Sequence, residues 1–342
     1  EIYTLSLHDA LPIYYRMKTK NDALEEIGKQ FLAAESVLLF PHENMDGDAL
    51  GSCAALCGIL RKMGKKAYIL TEGSTPDFLM FLDEGYCTEE YGIIENPDIC
   101  STVDCGEVSR FKARRDIFFK GRTKICIDHH ATSRHFADYN YIDPDAAATG
   151  EIIYKLLNAM NVQIDQKTGE AIYAAINTDT GRFQNANTTR ESHEITAALY
   201  DCGIDANRVS VEIYETVRPE RMKLSCLVLS EMELFADGEA VIACVTQEML
   251  RKTGTRMAES EGIVASLRSV KDVQIAVLLK EKKKEIKVSL RAKRMGNVAE
   301  IGMKYGGGGH LKAAGCSLHC SLEEAKRIIM EEVTENLKKF RE

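Results

Sequence analysis

The sequence predicts an α/β protein: a doubly wound, mainly parallel sheet in a first domain, then a helical connector and a smaller α/β domain with a mixed sheet. Three observations carry this. Short apolar runs alternate with helical periodicity over the first half of the chain. Three of those runs end in acidic or histidine-bearing clusters, and ligands of open parallel sheets bind at the carboxyl ends of strands. A length of 342 residues favours two cores over one.

From Lys20 to Ala34, Leu24, Ile27, Phe31 and Leu32 recur at helical spacing. Ser36 to Phe40 reads as a strand ending at Pro41-His42, Ala49 to Met63 as helix, and Lys66 to Leu70 as strand. Ile99 to Val103 is a strand closed by Asp104-Cys105-Gly106, and Thr123 to Ile127 one closed by Asp128-His129-His130. Between them, Arg110 to Lys124 mixes seven basic residues with Phe111, Phe118 and Phe119. This predicts an amphipathic helix and its exit loop, with phenylalanines inward and charges solvated, in preference to an RNA-guiding strip. Helices follow over Gly150–Met160, Gln166–Asn177, Arg190–Asp201 and Ala206–Tyr214, broken at Thr178-Asp179-Thr180-Gly181. Pro219, suited to a first helical turn, opens a connector to about Glu233. The second domain starts near Leu234. Ala240–Val245 is a strand, Val273–Leu279 and Glu285–Ala292 form a hairpin around a lysine-rich turn, and Gly296–Lys304 is a short helix. The loop Gly306-Gly307-Gly308-Gly309-His310 and a terminal helix from Leu322 complete it. The expected domains are residues 17–215 and 234–342, joined by 216–233. Residues 1–16 resemble translated sequencing-adapter sequence and Met17 reads as the natural start, so this leader is expected to be non-native and His8 and Asp9 are kept out of the site.

Composition narrows the class. With 45% hydrophobic and 28% charged residues the chain is globular, and no apolar run reaches the ~20 residues of a membrane span. A net charge of −8 disfavours tight non-specific duplex binding. The eleven cysteines are odd in number, scattered and without a C-x-x-C pair, which predicts free thiols in a reducing, cytoplasmic setting.

Four constellations carry chemistry: His42-x3-Asp46-x-Asp48, Asp104, Asp128-His129-His130 and Asp179. Helix capping explains one of Asp46 and Asp48 at most, and leaves His42 without a role. Asp104 or Asp179 alone reads as a turn or cap residue. Together the four supply five carboxylates and three histidines near strand or helix ends of one domain. Mixed oxygen and imidazole donors favour Mn²⁺, Zn²⁺ or Fe²⁺ over Mg²⁺ or Ca²⁺. Six ligands are too many for one open site, so two metals sharing a carboxylate are expected.

These motifs, in this order and spacing, resemble those of the DHH phosphoesterase superfamily, and the hairpin with the Gly306–His310 loop resembles its DHH-associated C-terminal domain. The nearest likeness is to nano-RNases of the NrnA type, which also act as pAp phosphatases. The resemblance implies a site in the cleft between the domains. It assigns His42, Asp46 and Asp104 to one metal, and Asp48, Asp104, His129 and Asp179 to the other, with Asp104 bridging. Asp128 would orient a histidine and His130 would face the scissile phosphate. Gly308, Gly309 and His310, with Arg291, would hold the substrate's terminal phosphate or nucleotide. The expected enzyme is a cytoplasmic, Mn²⁺-dependent hydrolase of short single-stranded RNA, pApA and pAp that releases nucleoside 5′-monophosphates; a homodimer is compatible with it. Rival readings are a standalone cyclic di-AMP phosphodiesterase, a manganese pyrophosphatase (disfavoured by the glycine-histidine loop) and a metal-free nucleotide-binding regulatory protein.

Overall fold

A computed structural model describes residues 21–341, apart from the side chain of His310; the leader expected over residues 1–16 lies outside the described residues. The chain divides into two compact units between Thr216 and Val217.

The first unit is built on six strands: β1 (Ser36–Phe40), β2 (Lys66–Leu70), β3 (Cys87–Thr88), β4 (Ile99–Val103), β5 (Thr123–Asp128) and β6 (Tyr139–Ile142). Their order is β3-β2-β1-β4-β5-β6, and every pairing is parallel. The order reverses between β1 and β4. Chains leaving those two strands diverge, which opens a crevice at their carboxyl ends.

The apolar runs read as strands because they are buried on both faces. In β1, Val37 and Leu39 enter one core and Leu38 and Phe40 the other. The first core lies under α1 (Leu24–Ala33), α2 (Gly47–Lys62), α4 (Thr149–Ala159) and α5 (Gln166–Asp179). Backbones of α2 and α5 approach so closely that a Cβ on Gly51 would stand 2.5 Å from the Ala171 carbonyl oxygen. The opposite core is an aromatic cluster in which Phe40, Phe111 and Phe118 pack with centroids 5.3–6.0 Å apart.

Here one expectation is corrected. The amphipathic helix expected ahead of an exit loop is instead a 3₁₀ segment, Val108–Arg114, running into the single turn α3 (Arg115–Phe118). The backbone kinks at Phe111 to seat that ring in the core. Nor are all the charges solvated. Arg114 is fully buried, and its guanidinium donates to Glu72 Oε1 (2.8 Å), to the Pro41 carbonyl (3.0 Å) and to the Leu70 carbonyl. It thereby ties together the chain leaving β1 and the end of β2. Strands β3 and β6 escaped the sequence reading: β3 is two residues long, and β6 is a short edge whose amides are met by Asn21 and Asp22 side chains, at 2.9 Å each.

The second unit holds a mixed sheet of β7 (Glu233–Phe235), β8 (Ala240–Val245), β9 (Ile275–Glu281), β10 (Ile286–Ala292), β11 (Gly308–His310) and β12 (Ala313–Leu318), ordered β11-β12-β10-β9-β8-β7. Only the β8–β9 pairing is parallel. The helix Pro219–Ser230, expected as connector, buries Leu224 and Val228 against Val241, Ala243 and Leu278 of this sheet. Two short helices, Gln247–Thr253 and Ile263–Arg268, complete that face and were too brief for periodicity to reveal. The terminal helix Leu322–Lys339 covers the other face. The glycine run is a second correction: its last three residues are not loop but β11, paired antiparallel with Ala313–Gly315. A Cβ on Gly307 or Gly309 would stand 2.0 or 2.3 Å from a carbonyl oxygen of that partner, so backbone proximity accounts for those two glycines. Gly308 has open space around it.

Arg114→Met is expected to destabilise the protein by roughly 3–5 kcal/mol, because it leaves two buried carbonyls unpaired and Glu72 without its partner. The midpoint of urea unfolding, followed by circular dichroism, reads the loss.

Candidate metal centre

Each acidic or histidine cluster arrives at the crevice by a different route. His42 follows β1 directly. Asp46 is the N-cap of α2, its Oδ1 accepting from the Ala49 amide at 3.1 Å. Asp48 sits in the first turn of the same helix but caps another one: it accepts from the Thr149 and Gly150 amides of α4 at 2.7 and 2.9 Å, and from the Ser52 hydroxyl at 2.9 Å. The residue preceding α4, Ala148, offers no side-chain cap, so Asp48 supplies the anion that this helix N-terminus favours. Asp104 leaves β4 in the left-handed region, with φ +57°, and takes the Thr149 hydroxyl at 2.9 Å. Asp128 closes β5, and Asp179 is the last residue of α5.

The side chains named from the sequence converge. Nε2 of His42 stands 3.5 Å from Asp104 Oδ2 and 3.7 Å from Asp46 Oδ2. Nε2 of His129 stands 3.7 Å from Asp104 Oδ1, 3.7 Å from Asp179 Oδ2 and 3.8 Å from Asp48 Oδ2. These separations are too long for hydrogen bonds. They form two groups that could each hold a metal ion, His42–Asp46–Asp104 and Asp48–His129–Asp179, and each oxygen of Asp104 faces a different histidine. A third such group, Asp104–His129–His130, overlaps them.

The tautomer of His129 tests the fit to a cation. Its Nδ1 lies 3.1 Å from the Ala146 carbonyl, which can only accept, so Nδ1 carries the hydrogen. In the neutral ring Nε2 then presents a lone pair to three carboxylates. That arrangement is repulsive unless positive charge sits among them, and a carbonyl-oriented imidazole is what metal-ligating histidines present. Asp48 and Asp104 are about 1% exposed, and burying such like charges without a cation is costly. The same crowding acts on the proton affinities of the groups. Burial, with Asp104 and Asp179 nearby, pushes the Asp48 carboxyl well up. Burial and the neighbouring Asp104 and Asp46 push Asp179 to about 7, against the pull of His129. His42, despite the opposing effect of burial, is raised to about 9 by Asp104 and Asp46. The donor set therefore suits divalent metal ions.

His130 is held differently. Its Nδ1 lies 2.8 Å from Asp128 Oδ1, which also accepts the His129 amide at 2.9 Å. The other oxygen of Asp128 takes the Ser133 hydroxyl. Burial lowers the His130 pKa, but the bond to Asp128 and the field of Asp104 outweigh it and raise the value overall. Gly106 makes room for this brace, since a Cβ there would fall 1.8 Å from Ser133 Oγ and 2.2 Å from Asp128 Oδ2. Thr149, Ser133 and the Ala146 carbonyl were missed by sequence reasoning, because their spacing to the motifs carries no signal. Arg291 and the Gly308–His310 strand belong to the second unit; Arg291 is half-buried on β10 and donates to the Leu290 carbonyl at 3.0 Å.

Comparison with known proteins fits this geometry. Residues 36–176 match the model of the DHH family, N-terminal domain, and residues 238–339 that of the DHHA1 domain. The bifunctional oligoribonuclease and PAP phosphatase NrnA of Thermus thermophilus is 30% identical over 306 residues, covering 88% of this chain and 90% of that protein. The chain belongs to the DHH family. A second DHH relative, the protein of the same name from Bacillus subtilis, is 28% identical over 299 residues, covering 86% of this chain and 93% of that one. Among solved structures, an exopolyphosphatase-related protein from Bacteroides fragilis superposes with a TM-score of 0.87 at 27% identity, over 92% of this chain and 97% of that one. All eleven cysteines are free, and among the described residues no helix is long and apolar enough to cross a membrane.

The raised groups fix a pH dependence. Protonated Asp179 and His42 contribute stability to the metal-free protein that is complete below their ordinary values of 3.8 and 6.5 and is lost as pH rises through about 7 and about 9. The melting temperature of chelator-treated protein is therefore expected to fall between pH 6 and 9. Added divalent cation should restore it more at pH 8.5 than at pH 6; equal restoration at both would contradict the assignment.

Proposed function

We propose that the chain is a metal-dependent phosphoesterase that hydrolyses short oligoribonucleotides, pApA and pAp to nucleoside 5′-monophosphates. The observation that carries this reading is the convergence of His129 Nε2 with three buried or half-buried carboxylates at 3.7–3.8 Å. The names of the two bacterial relatives supply the substrate class. Two divalent cations complete the site, and manganese is the proposed one among the ions that mixed carboxylate and imidazole donors favour. His42, Asp46 and Asp104 would hold one, and Asp48, Asp104, His129 and Asp179 the other. When bound, such a pair supplies Lewis acidity to the phosphoryl oxygens and acidifies water.

The chain's own groups do the rest. Asp128, fixed by two backbone amides and Ser133, keeps His130 oriented and favours its imidazolium form. From that position His130 neutralises the phosphate and holds a proton for the leaving oxygen. Arg110, half-buried beside the loop after His42 through its carbonyl (2.9 Å from the Glu43 amide), adds a guanidinium whose field reaches Asp46 and His130. In the second unit, Arg291, Gly308, Gly309 and His310 are the proposed substrate contacts; the open space at Gly308 lets an anion approach its backbone. A clamp of this kind limits chain length, so short substrates are selected. A cytoplasmic location, consistent with the free thiols, is part of the same reading.

A product profile on pAp, pApA, a pentaribonucleotide and cyclic di-AMP with manganese present tests the proposal. Release of nucleoside monophosphates from the first three is expected, whereas preferential linearisation of cyclic di-AMP would replace it with a cyclic-dinucleotide phosphodiesterase. Asp104→Ala is expected to lower every activity by roughly 10³-fold or more. His310→Ala should instead raise KM by about tenfold at nearly constant kcat; an unchanged KM would remove His310 from the clamp.

A further inference from the structure

The chain after α5 takes an unusual course. Gly181, Arg182 and Phe183 occupy the left-handed region in succession, with φ of +56°, +62° and +61°. Two of these carry full side chains, for which that conformation is unfavourable by about 1–2 kcal/mol each. Local contacts hold the conformation in place. The Arg182 guanidinium lies 3.6 Å over the Tyr214 ring, Tyr214 donates to Asn177 Oδ1 at 2.7 Å, and Phe183 stacks on His193 with centroids 5.1 Å apart. The Arg182 amide bonds the Asn177 carbonyl at 2.8 Å and the Phe183 amide bonds the Thr180 hydroxyl at 3.1 Å.

This turn folds the chain back on the end of α5 and delivers Asn187 to Asp179. Nδ2 of Asn187 lies 3.3 Å from Asp179 Oδ2, 3.2 Å from the Asp179 carbonyl and 2.9 Å from the Ala147 carbonyl. All three neighbours are acceptors, which fixes the amide with its NH₂ toward them. Asn185 Nδ2 adds a contact to the Asp179 carbonyl at 3.3 Å. The Ala147 link matters because its neighbour, the Ala146 carbonyl, orients His129. One short segment, residues 146–147, thus holds His129 directly and Asp179 through Asn187. Those two, with Asp48, form one of the two metal-binding groups.

We infer that Asn187 is a positioning residue for the Asp48–His129–Asp179 metal site and leaves the His42–Asp46–Asp104 site unaffected. One N–H contact, at 3.3 Å, holds Asp179 Oδ2, the oxygen that faces His129, while the contacts to the Asp179 and Ala147 carbonyls fix the amide in place. Asn187 is solvent-exposed, so its truncation removes an orienting contact without opening a cavity. The inference rests on the two-metal reading of the site.

Calorimetric titration of Mn²⁺ into metal-free wild type, Asn187→Ala and Asn187→Asp separates the possibilities. Wild type should bind two ions. Asn187→Ala should bind one as wild type does and the other about 10–100-fold more weakly, the loss usual for removing a contact that orients a ligand. Asn187→Asp keeps the shape but sets an acceptor against Asp179, and should weaken the same site at least as much; a steric role would tolerate it. Metal-free melting temperatures should agree within roughly 2 °C. Two variants with wild-type isotherms would overturn the inference and leave the two-metal reading standing. A wild type that binds no Mn²⁺ would overturn both. A fall of many degrees in the metal-free variants with unchanged isotherms would reassign Asn187 to the fold.

Discussion

Concentrated negative charge at the carboxyl ends of β1, β4 and β5 is the constraint on which the first unit turns. Asp48, Asp104 and Asp128 are all but inaccessible to water, and Asp46 and Asp179 stand beside them. Such a set survives burial only with directed donors and positive charge. The protein supplies the donors from its backbone and hydroxyls: the α4 amides and Ser52 for Asp48, Thr149 for Asp104, Ser133 and the His129 amide for Asp128. Each leaves specific oxygens facing inward. The charge left over is what suits the crevice to divalent cations.

The scaffold serves this demand at some distance from it. The reversal of strand order between β1 and β4 creates the space. The close approach of α2 and α5 at Gly51 places Asp48 and Asp179, which lie at opposite ends of their helices, beside the same imidazole. Buried Arg114 secures the carbonyl of Pro41, the residue before His42, from the far side of the sheet. Core packing and ligand geometry are therefore not separable properties here. A change that loosens the helix pair or the β1 exit moves ligand atoms.

Much of this was legible in the sequence because strand ends punctuate it. Apolar runs stopping at His42, Asp104 and Asp128 marked both the fold and the residues that converge, and the break at Asp179 marked the end of α5. What escaped was of two kinds. Strands β3 and β6 are too short or too much at the edge for alternation to show. The supporting groups, Thr149, Ser133, Asn187 and the Ala146 carbonyl, acquire their roles only when distant segments meet, so neither residue type nor spacing announces them. Arg114 was hidden in a basic run in which Lys112, Arg115, Lys120 and Arg122 face water, and the glycine run concealed a strand because glycine carries no alternating pattern to read.

The left-handed backbone at Asp104 has a consequence for how the family can change. At φ +57° few residues are comfortable; asparagine, aspartate and glycine are the principal ones. The side chain between the two histidines is thus confined to a very small alphabet by conformation alone, before any demand of chemistry is applied. Asparagine is the member of that alphabet that keeps the shape while giving up the charge. A single exchange to asparagine there removes one of the charges that face the two histidines while keeping the backbone conformation that places the side chain.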